Sequence, residues 1–361
     1  MSAVAVHAAV AERGVRLDLD LPAGQVTAVV GPNGSGKTTL LHLISGLARP
    51  TSGAVQLGDT VVAGPGVMTP VHRRRVALLT QRPALFPHLD VRDNVAFGPR
   101  AAGFSAADAR SRATQELAAV GCLEFAGRRP HELSGGQAQR VAIARALATD
   151  PEVVLLDEPL ASLDVRTAAQ VRRTLGERLK GRTALLVTHE PLDIWMVADR
   201  VAVIVGGRVV EDGPIAETMA RPTSDFLAQL SGITVLPGVA LDRTTIDLGE
   251  GVHLHGLSDP DQPLVPGEPG LANIAPTAVS VHLTDPGGSP RNVLPARVVD
   301  LEPRGDVVRV GLTVARRPLA ADLTPSAVAE LGLHPGMTVR AAVKATQVRL
   351  YGVGQVRAGT G

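Results

Sequence analysis

"VTAVVGPNGSGKT", residues 26–38, decides the fold. Five residues, apolar but for Thr27, run straight into a loop that matches Gly, any four residues, then Gly-Lys-Ser/Thr. A continuous apolar run of this length suits a strand buried on both faces of a parallel sheet. The glycines allow the chain to wrap a phosphate with backbone N–H groups, and the helix that follows adds its positive end. Gly31, Pro32, Asn33, Gly34, Ser35, Gly36, Lys37, Thr38 and Thr39 are therefore the expected phosphate-binding residues. Lys37 would neutralise β- and γ-oxygens, and the Thr38 hydroxyl would ligate Mg²⁺.

Four further apolar runs follow: VALLT (76–80), EVVLL (152–156), ALLVT (184–188) and VAVIV (201–205). Alternation of such runs with helical patterns over residues 1 to about 231 indicates an α/β fold with a mostly parallel sheet. Directly after four of the five runs stands a residue with a chemical use: Gly31, Gln81, Asp157 with Glu158, and His189. Ligands of open parallel sheets bind beyond the carboxyl ends of the strands, so the four converge on one edge. Taken singly, a His or Gln after a strand is usually an ordinary loop residue, and an acidic pair usually caps the next helix. Four on one edge, beside a phosphate loop, predict a site. Asp157 is expected to hold the metal, Glu158 to take a proton from the attacking water or orient it, Gln81 to contact metal or water, and His189 to reach the γ-phosphate.

A second anion-binding end is written in "LSGGQAQR", residues 133–140. Ser134 reads as an N-cap, followed by Gly135, Gly136 and Gln137 and then a helical run. Ser105 with Asp108 opens another helix through about Val120, and Asp164 a third through Lys180. Residues 82–150 form a mostly helical insertion that ends in this signature, with Phe86, Leu89 and Phe97 as exposed candidates.

From about residue 232 Gly and Pro punctuate short alternating runs, and a small β-rich, OB-like domain is expected over 232–361. In "VVRVGLTV" (307–314), Val308, Val310, Leu312 and Val314 face one way and Arg309 and Thr313 the other. One short helix, residues 325–333, is entered through Thr324-Pro325. The tail reads as two related halves, roughly 233–285 and 290–351.

The chain of 361 residues carries a net charge of +1 and only 2% aromatic residues, which argues against bulk attraction to nucleic acid and against base-stacking platforms. Arginine outnumbers lysine 33 to 3, which singles out Lys37 and Lys344 as sites where a compact ammonium stands although arginine was available. Cys122 is the single cysteine, so no intrachain disulfide can form. No apolar run approaches the roughly 20 residues that span a bilayer. The opening "AVAVHAAVA" lacks a basic leader, and a cytoplasmic chain is expected.

Taken together, residues 1–231 resemble the ABC-type transport ATPases: phosphate loop at 31–38, glutamine loop at Gln81, LSGGQ at 133–137, VVLLDE at 153–158, the "SLD" turn at 162–164 and His189, all in order. The resemblance implies a P-loop ATPase that uses ATP and Mg²⁺. It also implies a head-to-tail homodimer in which Ser134, Gly135, Gly136 and Gln137 face the ATP held by the partner's phosphate loop. Membrane permease subunits would dock on the helical insertion between Phe86 and Phe97, a substrate-binding protein would act indirectly, and the ATPase would sit on the inner face of the membrane. In this family an aromatic ring about twenty residues before the phosphate loop stacks on adenine. Here no Phe, Tyr or Trp precedes Phe86, and His7 or Arg13 is the expected substitute.

The tail is similar to the molybdate-binding (TOBE/MOP-like) β-domain of molybdate-importer ATPases over about residues 289–351. That resemblance makes Ser289, Arg291, Asn292, Lys344 and Thr346 the candidate oxyanion ligands. Related β-domains of other importers merely clamp the dimer, and Ala275 and Thr277 stand where relatives carry a charged Arg-Pro-Glu. The expected function is the ATP-hydrolysing subunit of a molybdate or tungstate importer. Alternatives are an importer of sulfate, iron(III), polyamine or another small solute, a non-transport ABC ATPase, and an oxyanion-binding regulatory protein.

Overall fold

The computed structural model describes residues 2–352, and the chain divides into two compact units, Met1–Thr218 and Met219–Gly361. The boundary lies before the expected one at residues 231/232. The helix Asp225–Ser231 belongs to the second unit because Ala228 is buried there with Val235, Leu271 and Tyr351.

In the first unit, the strands Val76–Leu79, Val153–Asp157, Thr183–Val187, Val26–Val30 and Arg200–Val205 lie side by side in that order and run parallel. Arg208–Pro214 adds an antiparallel edge. Every residue of Val26–Val30 and of Thr183–Val187 is buried, as continuous apolar runs require of central strands. Period-two alternation then sorts side chains to two cores. Val154 and Leu156 face a core shared with the helical segment, whereas Val153 and Leu155 face one shared with an antiparallel five-stranded sheet from Ser2 to Met68.

Helix α1 (Lys37–Ser45) follows the phosphate loop and buries Leu40, Leu41, Leu43 and Ile44 completely. Its C-terminal carbonyls are closed by Arg74, whose guanidinium donates to Leu43 O at 2.8 Å and Ile44 O at 3.0 Å. Helices α2 (Val91–Ala101), α3 (Ala106–Ala119) and α4 (Gly135–Ala148) make the expected helical insertion. Ser105 caps α3 and Asp164 caps α5 (Val165–Leu179), each accepting from the N–H three residues on. Helix α6 (Pro191–Val197) comes directly after His189 and Glu190. None of the helices is long and apolar enough to cross a membrane, among the described residues.

The second unit has two sheets around one core. The two halves read from the sequence exchange strands. The last strand, Val348–Gly352, leaves the second half to pair with Pro269–Ile274 of the first, and Ser280–His282 leaves the first to pair with Thr338–Val343 of the second. A single shared core results because neither half can finish its sheet alone. In the 307–314 strand, Val310, Leu312 and Val314 are buried as the alternation requires. The helix near 325 is shorter than expected, Pro325–Glu330, capped by Thr324.

Candidate nucleotide site

The phosphate loop leaves the central strand at Gly31, where a side chain is excluded. With φ at 149°, any Cβ would collide with the carbonyl oxygen of Ile204 on the adjacent strand. Gly36, at φ 110°, approaches Val15 so closely that a Cβ would lie 3.0 Å from its Cγ2. Between them, Ser35 Oγ is buried without a hydrogen-bond partner among the described residues, an unsatisfied donor in a loop shaped for an acceptor. The Lys37 ammonium curls back over the loop and donates to Gly31 O at 2.7 Å and Pro32 O at 2.8 Å. Burial holds its pKa below that of an ordinary lysine, while Glu158 and Asp157 pull the other way.

A cavity of 530 Å³ opens over this loop. Asn33, Gly34 and Gly36 to Thr39 form one wall, and Gln81, Asp157 and Glu158 form the other. Three strands thus deliver to one place what their ends promised. Burial raises the pKa of Asp157, with the Glu158 charge adding to the shift and His42 and Lys37 opposing it. Gln81 Nε2 donates to Glu158 Oε2 at 3.0 Å, and His189 Nδ1 lies 3.4 Å from Glu158 Oε1. Glu158 is therefore the hub that joins the glutamine and histidine loops. It occupies a left-handed backbone conformation, φ 48°, that costs a side-chain-bearing residue about 1–2 kcal/mol, and its N–H is pinned to Val187 O at 2.9 Å. The donor set of Thr38, Gln81 and Asp157 is all oxygen when Gln81 offers its carbonyl, which suits Mg²⁺.

Of the two residues expected to stand in for the aromatic ring that stacks on adenine, one lies in the cavity lining. His7 is bound to Asp18 and lies 3.3 Å from Asp20 on the antiparallel sheet, outside the cavity lining. Those carboxylates raise its pKa despite partial burial. Arg13 does line the cavity and donates to Thr39 Oγ1 at 3.3 Å, with Val15 beside it.

The signature residues are absent from this lining. Ser134 accepts from Gln137 N–H at 3.2 Å, and Gln137 Oε1 accepts from Ser134 N–H at 2.9 Å, a reciprocal cap that presents the start of α4 to solvent. The start of α1 and the start of α4 thus do not share a cavity.

A second cavity, 820 Å³, lies between the helical insertion and residues 71–78, which include the edge strand Val76–Leu79. Phe86 packs against Phe97 with ring centroids 4.6 Å apart and the planes tilted by 46°, and the Arg145 guanidinium covers Phe86 at 5.3 Å while donating to Ala84 O at 2.7 Å. Phe97 and Phe104 remain about half exposed. Leu89 is only half-buried and lies outside the lining. Phe104 went unnoticed in the sequence, although one of only 5 phenylalanines standing just past a helix end was a usable signal. Cys122 is buried, and burial pushes its thiol pKa up, so it is a packing residue.

In the tail, Ser289, Arg291, Lys344 and Thr346 are all exposed. The register that pairs Asn292 with Val343 sets Arg291 and Lys344 at the same end of the ladder. Asn292 is different. Its amide donates to His255 O at 2.9 Å and Val343 O at 3.2 Å, and its carbonyl accepts from His255 N–H at 2.7 Å. Both side-chain donors are committed to backbone, so the Asn292 amide stitches the two sheets together and has no free N–H for an anion.

Comparison with known proteins accords with this geometry. Residues 15–161 match the ABC transporter family and residues 288–350 the TOBE domain. The chain is 43% identical to the molybdenum import ATP-binding protein ModC of Mycobacterium tuberculosis, over 97% of this chain and 98% of that one. The chain belongs to the ABC transporter ATP-binding proteins. Other members are similar over less of its length: the Fe(3+) ions import ATP-binding protein FbpC 1 of Rhizobium meliloti is 43% identical over 60% of this chain and 61% of its own. A dimeric post-hydrolysis structure of the ATP-binding cassette MJ0796, bound to ADP and Pi, aligns with a TM-score of 0.50 and 30% identity over 55% of this chain and 89% of that one. This ABC protein is accordingly a P-loop ATPase with a C-terminal TOBE domain.

Proposed function

We propose that the chain is the ATP-hydrolysing subunit of an importer for molybdate or the chemically similar tungstate. The observation that carries this reading is the extent of likeness. Similarity to the molybdenum import protein runs through 97% of the chain, tail included, whereas the iron and 2-aminoethylphosphonate import proteins match over 60 to 64%. The tail is where cargo-specific sequence would lie.

In the proposed cycle two copies meet head to tail, each giving its phosphate loop to one nucleotide and Ser134, Gly135, Gly136 and Gln137 to the other. The separation of the two anion-binding ends within one chain supports this, because a single copy cannot bring both to one phosphate. Lys37 neutralises the β- and γ-phosphates, and Arg13 covers the base. Thr38, Asp157 and Gln81 would hold Mg²⁺, which when bound offsets phosphate charge. Glu158 accepts the proton of the attacking water, held in aim by Gln81, and His189 donates to the γ-phosphate. The aromatic groove at Phe86, Phe97 and Phe104 receives a helix of the permease, placing the ATPase on the inner face of the membrane. The exposed Ser289, Arg291, Lys344 and Thr346 would close around an oxyanion only against a second surface, so a molybdate site in the tail would lie between subunits.

Uptake of labelled molybdate by cells whose gene copy carries Glu158→Gln tests the reading. Loss of uptake, with wild-type uptake resistant to excess sulfate, is expected. Uptake unchanged in the variant, or abolished by sulfate in the wild type, would overturn it.

A further inference from the structure

Behind His189 lie three buried polar side chains that no part of the proposed cycle uses. Arg172 is 8% exposed, Thr188 4% and Asp193 2%. Arg172 Nε, on helix α5, donates to Asp193 Oδ1 at 2.7 Å. Thr188 Oγ1 donates to Asp193 Oδ2 at 2.9 Å and accepts from the Glu190 N–H at 3.1 Å. The Asp193 N–H in turn donates to Glu190 O at 3.1 Å. The residues on either side of His189 therefore share one hydroxyl, and that hydroxyl is anchored through a carboxylate to the helix that Asp164 opens. The imidazole itself stays more than half exposed.

We propose that Arg172, Asp193 and Thr188 are positioning residues that fix the His189 backbone while leaving its ring free to turn between Glu158 and the γ-phosphate. A buried ion pair gives little stability compared with apolar side chains of the same volume. The neighbouring positions Val171, Leu175 and Ile194 are aliphatic, so a polar chain at this one place is a departure from the local rule. Its geometry supplies the reason: the Thr188 hydroxyl ties the peptide N–H that follows His189 to the Asp193 carboxylate, which an aliphatic residue of equal size cannot do. Helix α5 and His189 consequently move as one body, and motion at the Ser162–Asp164 turn reaches the histidine without crossing the nucleotide.

The inference rests on the reading of His189 as a γ-phosphate contact. Steady-state ATP hydrolysis by the full chain is compared for wild type, Thr188→Val, Thr188→Ser, Asp193→Asn and His189→Ala, with a thermal melt of each. Loosening a reacting group by an ångström costs up to about a hundredfold. Thr188→Val is expected to lower kcat about ten- to a hundredfold with KM for ATP within about twofold, and Thr188→Ser to restore it. A kcat within about twofold of wild type in Thr188→Val, whatever its melting temperature, overturns the proposal, as does failure of Thr188→Ser to recover activity. If Thr188→Val does not fold, Asp193→Asn decides by the same split. Wild-type hydrolysis by His189→Ala instead sinks the reading of His189 itself.

Discussion

Replacing Glu158 with glutamine isolates the proton-accepting step, because the two side chains differ by one protonatable oxygen. The structure says what survives the change. The substituted amide can keep its oxygen toward Gln81 Nε2, which lies 3.0 Å from Glu158 Oε2, and the backbone stays in the same φ 48° conformation with its N–H on Val187 O. What disappears is the acceptor for the water proton and the charge that faces His189 at 3.4 Å. Loss of a general base costs about 10²- to 10⁴-fold, or about 3–5 kcal/mol in the barrier. The phosphate-binding residues are untouched, so ATP affinity is expected within a few-fold of wild type. Removing one of the two carboxylates that favour the Lys37 ammonium lowers the Lys37 pKa further. The assay is single-turnover release of phosphate at saturating Mg-ATP, paired with light scattering of the same sample. Slow turnover should trap the dimer, doubling the mass. A rate within about threefold of wild type would remove Glu158 from its role, and single chains in the slow variant with permeases present would refute the sandwich.

Other outcomes follow from the same geometry. Asp157→Asn should abolish Mg²⁺-dependent hydrolysis yet raise the melting temperature. Asp157 has its pKa raised on folding, so its ionised form opposes folding, a penalty absent below the unfolded pKa and complete once pH exceeds the folded one; a melt no higher than wild type at pH 8 contradicts this. Arg13→Ala should raise KM for ATP several-fold with kcat nearly unchanged, and wild-type Arg13 should discriminate ATP from GTP only weakly, since a guanidinium plane stacks on any base; unchanged KM in the variant removes Arg13 from the base site. In the second unit, Arg309 holds Asp322 below the usual carboxylate range through paired hydrogen bonds of 2.8 Å. Its stabilisation is present above the unfolded pKa and lost as pH falls through the depressed one. Asp322→Asn is expected to cost about 1–3 kcal/mol at pH 7, read by urea denaturation, with a smaller difference at pH 3; equal stability at pH 7 would show the pair contributes nothing.

The parallel sheet and the strand ends that line one cavity were legible because strand-end chemistry is local. A buried run, a glycine loop and a carboxylate pair each announce themselves within ten residues, and the caps at Ser105, Ser134 and Asp164 fixed helix starts to the residue. What escaped the sequence depended on distant partners. Asn292 looks like an anion ligand until His255 and Val343 are seen to occupy its amide. His7 and Arg13 are both able to stack, and only strand register, which sets His7 opposite Asp18, separates them. The exchange of strands between the halves of the tail was not legible because hydrophobic alternation specifies that a segment is a strand and is silent about which strand it joins.

That exchange of strands bears on how the protein is made. The first half of the tail can complete its sheet only when Val348–Gly352 has emerged from the ribosome, so Pro269–Ile274 waits through synthesis of some seventy later residues with one hydrogen-bonding edge bare. A newly made cassette will therefore acquire its ATP-binding unit well before its appendage, and nascent chains cut off before residue 348 should be substrates for chaperones and proteases although their nucleotide-binding portion is finished.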